Sequence, residues 1–595
     1  MPEKPWIAYY GEIPASISYP DTTLFELFER SVLDHPDSCA VDYVGERITY
    51  DDLYKLVDSA ARGLTVVGVR AGDRIACLMP NTPHVLVLLY AANRIGALFT
   101  VFNADASAPE LSTKLGKLEP QWVVCSSEHA DGLVRLAAAG PIRGVVVASV
   151  NDFGSRTRLR ALARLRSRYG LGKEGIRGIA SYPRDGETVS ESPPVFSWRS
   201  FLEFGTDVAL PPHREVHLPD DPAVVLFTGG TTHDALAAVH ADRQLTAVAL
   251  QTHVQGPLLE GQSVLSVVPF SHGYGIAGAG HAALTAGGTT IVVPHWTPRS
   301  LARLIRRSRP EYLIGVPSVY AELVLDRVFR RARHRSLMGA FCGGDRLPRS
   351  VRDLFEKIVR RRGGAITIRE GYGLTETVTA CATMPESDAR AGSVGVPYPD
   401  TLIAIARPLD VADGAGYRAL IEDAPPAWLG PDAIGEILVS GPTVMREYWR
   451  DGEASARVFH ADESDRVWLR TGDAGRMDAD GFLYFVERLG RGFRSGGIEV
   501  HPGLTELALN EHLEVLEACV TVNGPGAEPR LTAHVAPLDE DRDETWLEAH
   551  LRESLQTLHE AQRPTRYVFH ARLPRTTAGV TDHRRLALEP HPPNE

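Results

Sequence analysis

At 595 residues the chain is too long for one ordinary domain, and two or three are expected, with ample capacity for a buried core. Hydrophobic residues make up 44 % and charged residues 23 %, an ordinary balance for a globular protein. The formal net charge of −12 argues against a general nucleic-acid binder, which needs a basic face to displace counterions.

The opening Met1-Pro2-Glu3-Lys4-Pro5-Trp6 lacks the charged-then-apolar pattern of a signal peptide, so a cytoplasmic location is expected. Thr23 to Leu33 reads as a helix with one apolar face, capped by Asp21 or Thr22. Ile48 and Thr49 end a strand that runs into a helix start by Leu53. Arg74 to Met79 is an apolar strand stopped by Pro80-Asn81, followed by a helix from Pro83 to Ile95 and a strand from Leu98 to Phe102. The apolar stretch from His84 to Phe102 is interrupted by Asn93 and Arg94, which marks a core helix rather than a membrane span. Strands alternating with helices in this way predict an α/β fold with parallel sheets covered by helices. Residues 151–216 break the pattern. They begin with a basic stretch, Arg156 to Arg168, and continue in Gly, Pro and Ser, as a surface insertion would. Those arginines are either a solvated helix face or part of a cover over a substrate entrance. Val224 to Phe227 is a buried strand leading into a Gly/Thr run, where exposed backbone N–H groups can cradle phosphate. Cys39, Cys77, Cys125, Cys342, Cys381 and Cys519 are scattered, with no C-x-x-C and no histidine in metal spacing, and read as free buried thiols in a reducing compartment.

A series of motifs follows in order. Thr228-Gly229-Gly230-Thr231-Thr232 is the Gly/Thr run. Val268-Pro269-Phe270-Ser271-His272-Gly273-Tyr274-Gly275, Gly315-Val316-Pro317-Ser318 and Gly343-Gly344-Asp345 come next. Gly371-Tyr372-Gly373-Leu374-Thr375-Glu376-Thr377, Leu469-Arg470-Thr471-Gly472-Asp473, Glu487-Arg488 and Ser495-Gly496-Gly497-Ile498-Glu499 complete the series. In this order they resemble the adenylate-forming superfamily over nearly the whole chain, from Trp6 to about Leu586. The opening and the insertion after Val150 resemble its long-chain acyl-CoA synthetase branch.

The resemblance implies a large N-terminal domain of layered sheets and helices, 1–488 with the insertion at about 151–216. It also implies a small mobile C-terminal cap, 489–595. The chemistry it implies has two steps. A carboxylate attacks the α-phosphate of ATP to give an acyl-adenylate, and a thiol or amine then displaces AMP. Thr228, Thr231, Thr232 and Thr375 would bond phosphate, with Gly343, Gly344 and Gly373 lining the nucleotide site. Tyr372 would stack on adenine, Asp473 would accept the ribose hydroxyls, and Arg488 would reach ribose or phosphate. Glu376 would hold Mg²⁺ if ATP is used. Ser271, His272, Tyr274 and Gly275 would line the carboxylate pocket, with His272 either its wall or a general base. Implied partners are a small carboxylic acid or activated acyl group and CoA or a carrier-protein phosphopantetheine. A monomer or homodimer is expected.

Two positions depart from the family. Its phosphate loop reads T-S-G-T-T-G-x-P-K-G, and here Leu236 stands at the lysine while His233-Asp234 replaces the loop glycine. Its P-x-T-x-x-G-K signature becomes Pro574-Arg575-Thr576-Thr577-Ala578-Gly579-Val580, with Val580 at the catalytic lysine. No lysine follows Lys357 and none lies between Lys173 and Lys357. Losing one such cation typically costs about 10²–10³ in rate. Arg494, Arg575 and Arg584 are candidate replacements, although a guanidinium is longer and planar. Leu489-Gly490-Arg491-Gly492 after Arg488 predicts a looser hinge. Three readings follow. The first is an acyl transferase of specialised metabolism that takes a pre-activated acyl group. The second is an atypical ATP-dependent acid–CoA or acid–carrier ligase, and the third is a non-catalytic nucleotide or acyl binder.

Overall fold

Thr23, not Asp21 or Thr22, opens the first long helix, Leu24–Asp34. Its hydroxyl accepts from the Glu26 N–H at 3.2 Å, and the Glu26 carboxylate accepts from the Thr23 N–H at 3.1 Å. Glu26, three residues after Thr23, makes the reciprocal box that fixes the start. The protein is described from a computed structural model. It covers residues 4–137, 140–153, 193–205, 208–229, 235–256, 258–408, 426–495, 497–523, 529–576 and 579–588.

The helix Tyr50–Val66 starts where the strand Glu46–Thr49 ends, with the Thr49 hydroxyl accepting from Asp52 N–H at 3.1 Å. Arg74–Leu78 and Leu98–Val101 are adjacent parallel strands, joined by the Pro83–Arg94 helix. That helix is buried on every face from Pro83 to Asn93, so its apolar run serves the core. Among the described residues no helix is long and apolar enough to cross a membrane.

The architecture is α/β, as expected. An eight-stranded sheet carries the Pro222–Phe227 and Ala237–Ala241 strands, and a nine-stranded sheet carries Gly339–Cys342 and Ile368–Gly373. A five-stranded antiparallel sheet contains Val467–Met477 and Leu483–Arg488. A three-stranded sheet, Val515–Asn523, Arg530–Pro537 and Arg566–Phe569, packs with the helix Pro502–Asn510 in the small C-terminal domain.

The basic stretch Arg156 to Arg168 lies outside the described residues. The later flank of the expected insertion is built into the core. Val195–Ser197 adds a parallel strand beside Gly144–Ala148, and Trp198 and Phe201 are buried in the largest hydrophobic cluster. Past Arg488 and the first of the two glycines, the chain is anchored within the small domain. Arg491 donates to both Glu506 carboxylate oxygens, at 3.2 and 2.7 Å, and to the Val520 carbonyl at 2.9 Å. Gly490, at φ +88°, makes the turn that lets Arg491 point inward.

Candidate active site

The strands Pro222–Phe227 and Ala237–Ala241 pair antiparallel, with Phe227 opposite Ala237. The Thr228 N–H donates to the Leu236 carbonyl at 2.9 Å, and the Thr228 hydroxyl accepts from the Leu236 N–H at 3.0 Å. Thr228 therefore clamps the base of the phosphate loop. Thr231, Thr232, His233 and Asp234 lie outside the described residues. Thr228 and Gly229 open onto a cavity of about 570 Å³ that also reaches Thr375, Arg488, Gly343 and Gly344. The size falls in the range of small-molecule sites.

Ser271, His272 and Tyr274 line this cavity. Gly273, in the cavity wall, and Gly275, which follows Tyr274, are required by close approaches. A Cβ on Gly273 would lie 1.6 Å from the Val378 carbonyl oxygen, and one on Gly275 2.3 Å from that of Pro269. Burial first, and the Lys114 charge second, hold the His272 imidazole below its usual pKa, so it is neutral at neutral pH. Lys114 was not singled out from the sequence. It comes from the helix Ala108–Leu118, lines the same cavity, and pairs with Glu110 at 2.7 Å. One turn on, Lys117 donates to the Ala235 carbonyl at 2.8 Å, at the far stem of the loop.

On the ribose side, the strand register makes the site. Asp473 and Arg488 are direct cross-strand partners in the antiparallel pair, and their side chains meet at 3.0 Å. The Tyr372 hydroxyl donates to the second Asp473 oxygen at 2.7 Å. Asp473 and Tyr372 are buried and, with Phe485, border a second cavity of about 360 Å³. Burial raises the Asp473 pKa against the pull of Arg488, while Asp473 raises that of Arg488. The Arg488 side chain is 62 % exposed, but it lines both cavities. Gly373 sits where a Cβ would lie 2.1 Å from the Thr379 carbonyl. Beyond Thr375, Glu376 accepts from the Tyr448 hydroxyl at 2.8 Å, and burial raises its pKa. Its carboxylate offers hard oxygen to a divalent cation, with one of the two oxygens already engaged.

Neither departing position faces the cleft with a cation. Leu236 packs against the cluster that holds Tyr372, Leu374 and Met445. Val580 lines both cavities and packs with the cluster that holds Val316. Its loop is docked. The Ser318 hydroxyl donates to the Gly579 carbonyl at 2.7 Å, and the Thr581 N–H to Asp345 at 3.2 Å. Of the three arginine candidates, Arg575 is committed to Glu517 and Arg494 is exposed on the small Phe493–Ser495 strand. Arg584 lines the larger cavity.

All six cysteines are free and buried. The fold does bring a histidine to one of them, which sequence spacing does not reveal. Cys519 Sγ lies 3.1 Å from His583 Nδ1, and Glu506 completes the group. Arg491 already occupies Glu506, and burial raises the Cys519 thiol well above its ordinary pKa, which makes it unreactive.

The hairpin stem at Thr228, the buried Asp473 carboxylate paired with Arg488 and the docked loop at Val580 surround the cavities where the adenylate-forming resemblance expects them. Residues 28–449 match the model of the AMP-binding enzyme family, and the chain belongs to that family. It is 26 % identical to a long-chain-fatty-acid–CoA ligase of Bacillus subtilis over 599 residues, covering 99 % of this chain and 98 % of that protein. It is 28 % identical to a feruloyl-CoA synthase of Amycolatopsis over 551 residues, covering 91 % and 94 %. The fold matches the crystal structure of the anthranilate CoA ligase AuaEII in complex with anthranoyl-AMP, at TM-score 0.76 and 17 % identity, over 96 % and 97 % of the two chains.

Proposed function

We propose that the protein transfers an acyl group that reaches it already activated, as an acyl-adenylate or thioester, to a thiol or amine. The observation that carries this reading is Val580. The docked C-terminal loop brings its isopropyl group to the wall shared by both cavities, beside Val316, where the family places a lysine. Adenylation builds charge on phosphoryl oxygens and needs positioned cations. Here Leu236 and Val580 supply none, and Arg488 is paired with Asp473. Holding an adenylate asks less, because Tyr372, Asp473 and Arg488 already form a bonded set.

In the transfer step the nucleophile's sulfur or nitrogen bonds to the acyl carbonyl carbon. The bond from that carbon to the phosphate oxygen breaks, and AMP leaves with the electron pair. The nucleophile's proton passes to a base, and the neutral His272 imidazole in the cavity wall has that capacity. Thr228 and Thr375 bond the departing phosphate. CoA or a carrier-protein phosphopantetheine would supply the thiol.

A second reading, an ATP-dependent ligase for a fatty or aryl acid, is favoured by the near full-length match to acid–CoA ligases and by Lys114 and Arg584 in the cavity wall. In it, Glu376 would hold the magnesium that comes with ATP and neutralises its phosphates. The two readings separate when synthetic benzoyl- and fatty acyl-adenylates are given with CoA, pantetheine or an amine, in the absence of ATP. The transfer reading predicts product formation above the uncatalysed rate with at least one pair, and its loss in Asp473→Ala. Product that appears only with free acid and ATP contradicts it.

A further inference from the structure

The floor of the larger cavity holds a buried cation that the chemistry above does not use. Arg369 is 7 % exposed and lines that cavity. Three of its N–H groups are engaged by carbonyl oxygens. Nε donates to Met384 O at 2.7 Å, Nη2 to Gln255 Oε1 at 2.8 Å, and Nη1 to the Gln255 carbonyl. A guanidinium has five donors, so one N–H on each Nη is left over. Among the described residues no carboxylate is within ion-pair distance of it. The titratable groups that act on it most are the buried Tyr398 phenol, which lines the same cavity, and then the Glu386 carboxylate, which is exposed. A buried charge without a counter-charge is costly unless something at the site repays it.

The strand register says where this cation sits along the cavity. In Ile368–Gly373 the residues Arg369, Gly371 and Gly373 share one face and all line the cavity, while Tyr372 turns to the nucleotide side. Arg369 lies four residues upstream of Gly373, about 13 Å along an extended strand. It is therefore at the end away from Thr375 and the phosphate loop. The walls leading to it are apolar and aromatic. Phe341 lies under the guanidinium at 5.2 Å and stacks with Tyr312 at 6.3 Å, and Val264 and Ile314 line the sides. Gly256 lets the backbone pack close against the Phe341 ring, which a Cβ there would meet at 2.9 Å. A long alkyl chain would press its methyl end against an unpaired guanidinium. A flat ring with an oxygen at its far end would satisfy both the walls and the floor.

We propose that Arg369 is a specificity-determining residue that binds a second carboxylate, and that the acyl group handled here is an aromatic diacid. The reacting carboxyl lies near Thr375, and the second one reaches Arg369. Gln255 and Met384 fix the guanidinium plane, and the one N–H left on each Nη remains for charge-assisted hydrogen bonds to a carboxylate. A phenolic oxygen would be a poorer ligand for the same N–H groups, because it offers one acceptor and no full charge.

This inference rests on the cleft holding an acyl-adenylate, and the test separates the two ideas. Hydrolysis-resistant acyl-sulfamoyl adenosines carrying benzoyl, 4-hydroxybenzoyl, 3-carboxybenzoyl, 4-carboxybenzoyl and dodecanoyl groups are titrated calorimetrically into the full chain and into Arg369→Gln and Arg369→Leu. One of the carboxybenzoyl ligands should bind about 10–100-fold more tightly than the benzoyl ligand, the range of a charge-assisted contact. The preference should collapse to about threefold or less in both variants, while their affinity for the benzoyl ligand stays close to that of the unmodified chain. The wild-type comparison stands even where a variant fails to fold. Equal affinities for benzoyl and carboxybenzoyl ligands, tighter binding of the dodecanoyl or 4-hydroxybenzoyl ligand, or a preference that survives both substitutions would overturn the role of Arg369 and leave the adenylate cleft standing. Failure of every ligand to bind would overturn the cleft and the inference together.

Discussion

On the ribose side of the cleft, Asp473 accepts from Tyr372 and pairs with Arg488, and the register of two antiparallel strands holds the three in place. On the phosphate side, Leu236 and Val580 turn branched hydrocarbon into neighbouring apolar clusters. Both sides belong to one cavity system and share Arg488. What separates them is the charge each must supply. Holding a ribose needs acceptors and a well-packed ring, and these remain. Stabilising a phosphoryl group as it is transferred needs cations aimed at developing charge, and at two positions they are absent. On the proposed reading, the site divides into a binding half that is kept and an activating half of which two positions have become part of the core.

The sharpest way to break that contrast is to restore the cations. Leu236→Lys with Val580→Lys should raise ATP–pyrophosphate exchange by about 10²–10³ over the unmodified chain, with the two changes acting non-additively. If exchange is unchanged while the double variant stays folded, the two lysine positions are not what limits activation. The binding half is probed by Asp473→Ala, which removes a buried carboxylate and strands the Tyr372 hydroxyl and Arg488. The affinity for an acyl-sulfamoyl adenosine should fall about 10–100-fold, read by calorimetry. An unaltered affinity would place the nucleotide elsewhere.

The anchoring of the chain inside the C-terminal domain is tested through Arg491, whose pair with Glu506 is largely buried, the two side chains being 25 % and 11 % exposed. Arg491→Ala should cost about 2 kcal/mol, below the 3–5 of a fully buried pair because part of the arginine is solvated. It should also speed hydrogen exchange in the Val515–Asn523 strand, which Arg491 touches through the Val520 carbonyl. Unchanged exchange would mean the segment after Arg488 is held in its domain by other contacts. The smallest effect concerns His272. Burial and Lys114 depress its pKa, so it stays neutral as the pH falls through the ordinary histidine range near 6.5, and it charges only below that. The adenylate affinity of the unmodified chain should change less than about threefold between pH 8 and 6.5, and His272→Gln should leave that profile flat. A titration centred near 6.5 that disappears in His272→Gln would show the imidazole is not depressed.

The order of motifs was enough to read the family and the α/β layering, because most of them are turns at the ends of strands, with their own composition, although Leu469–Asp473 lies inside the strand Val467–Met477. Positions whose role depends on distant partners were not legible in that way. Thr23 is chosen over its neighbours as a cap only because Glu26 answers it. Arg488 meets Asp473 through strand register, and Lys114 enters the cavity from a helix with no motif. Cys519 and His583, 64 residues apart, meet only when the last helix docks on its sheet. Arg369 stands two residues before a motif that drew attention to itself. Its significance is the missing counter-charge, a property of the folded cavity. The two glycines after Arg488 predict looseness when read alone, and the intervening arginine anchors the segment.

The measurement that bears most directly on the account is ATP–pyrophosphate exchange on the unmodified chain across fatty, aryl and aromatic dicarboxylic acids, with binding of the matching acyl-sulfamoyl adenosines measured on the same preparation. The account predicts binding of at least one adenylate analogue together with exchange no faster than in a Glu376→Ala control. Robust exchange with any acid, abolished by Glu376→Ala, would contradict it. The activating half of the cleft would then be intact, with its cation supplied by a residue other than those at 236 and 580.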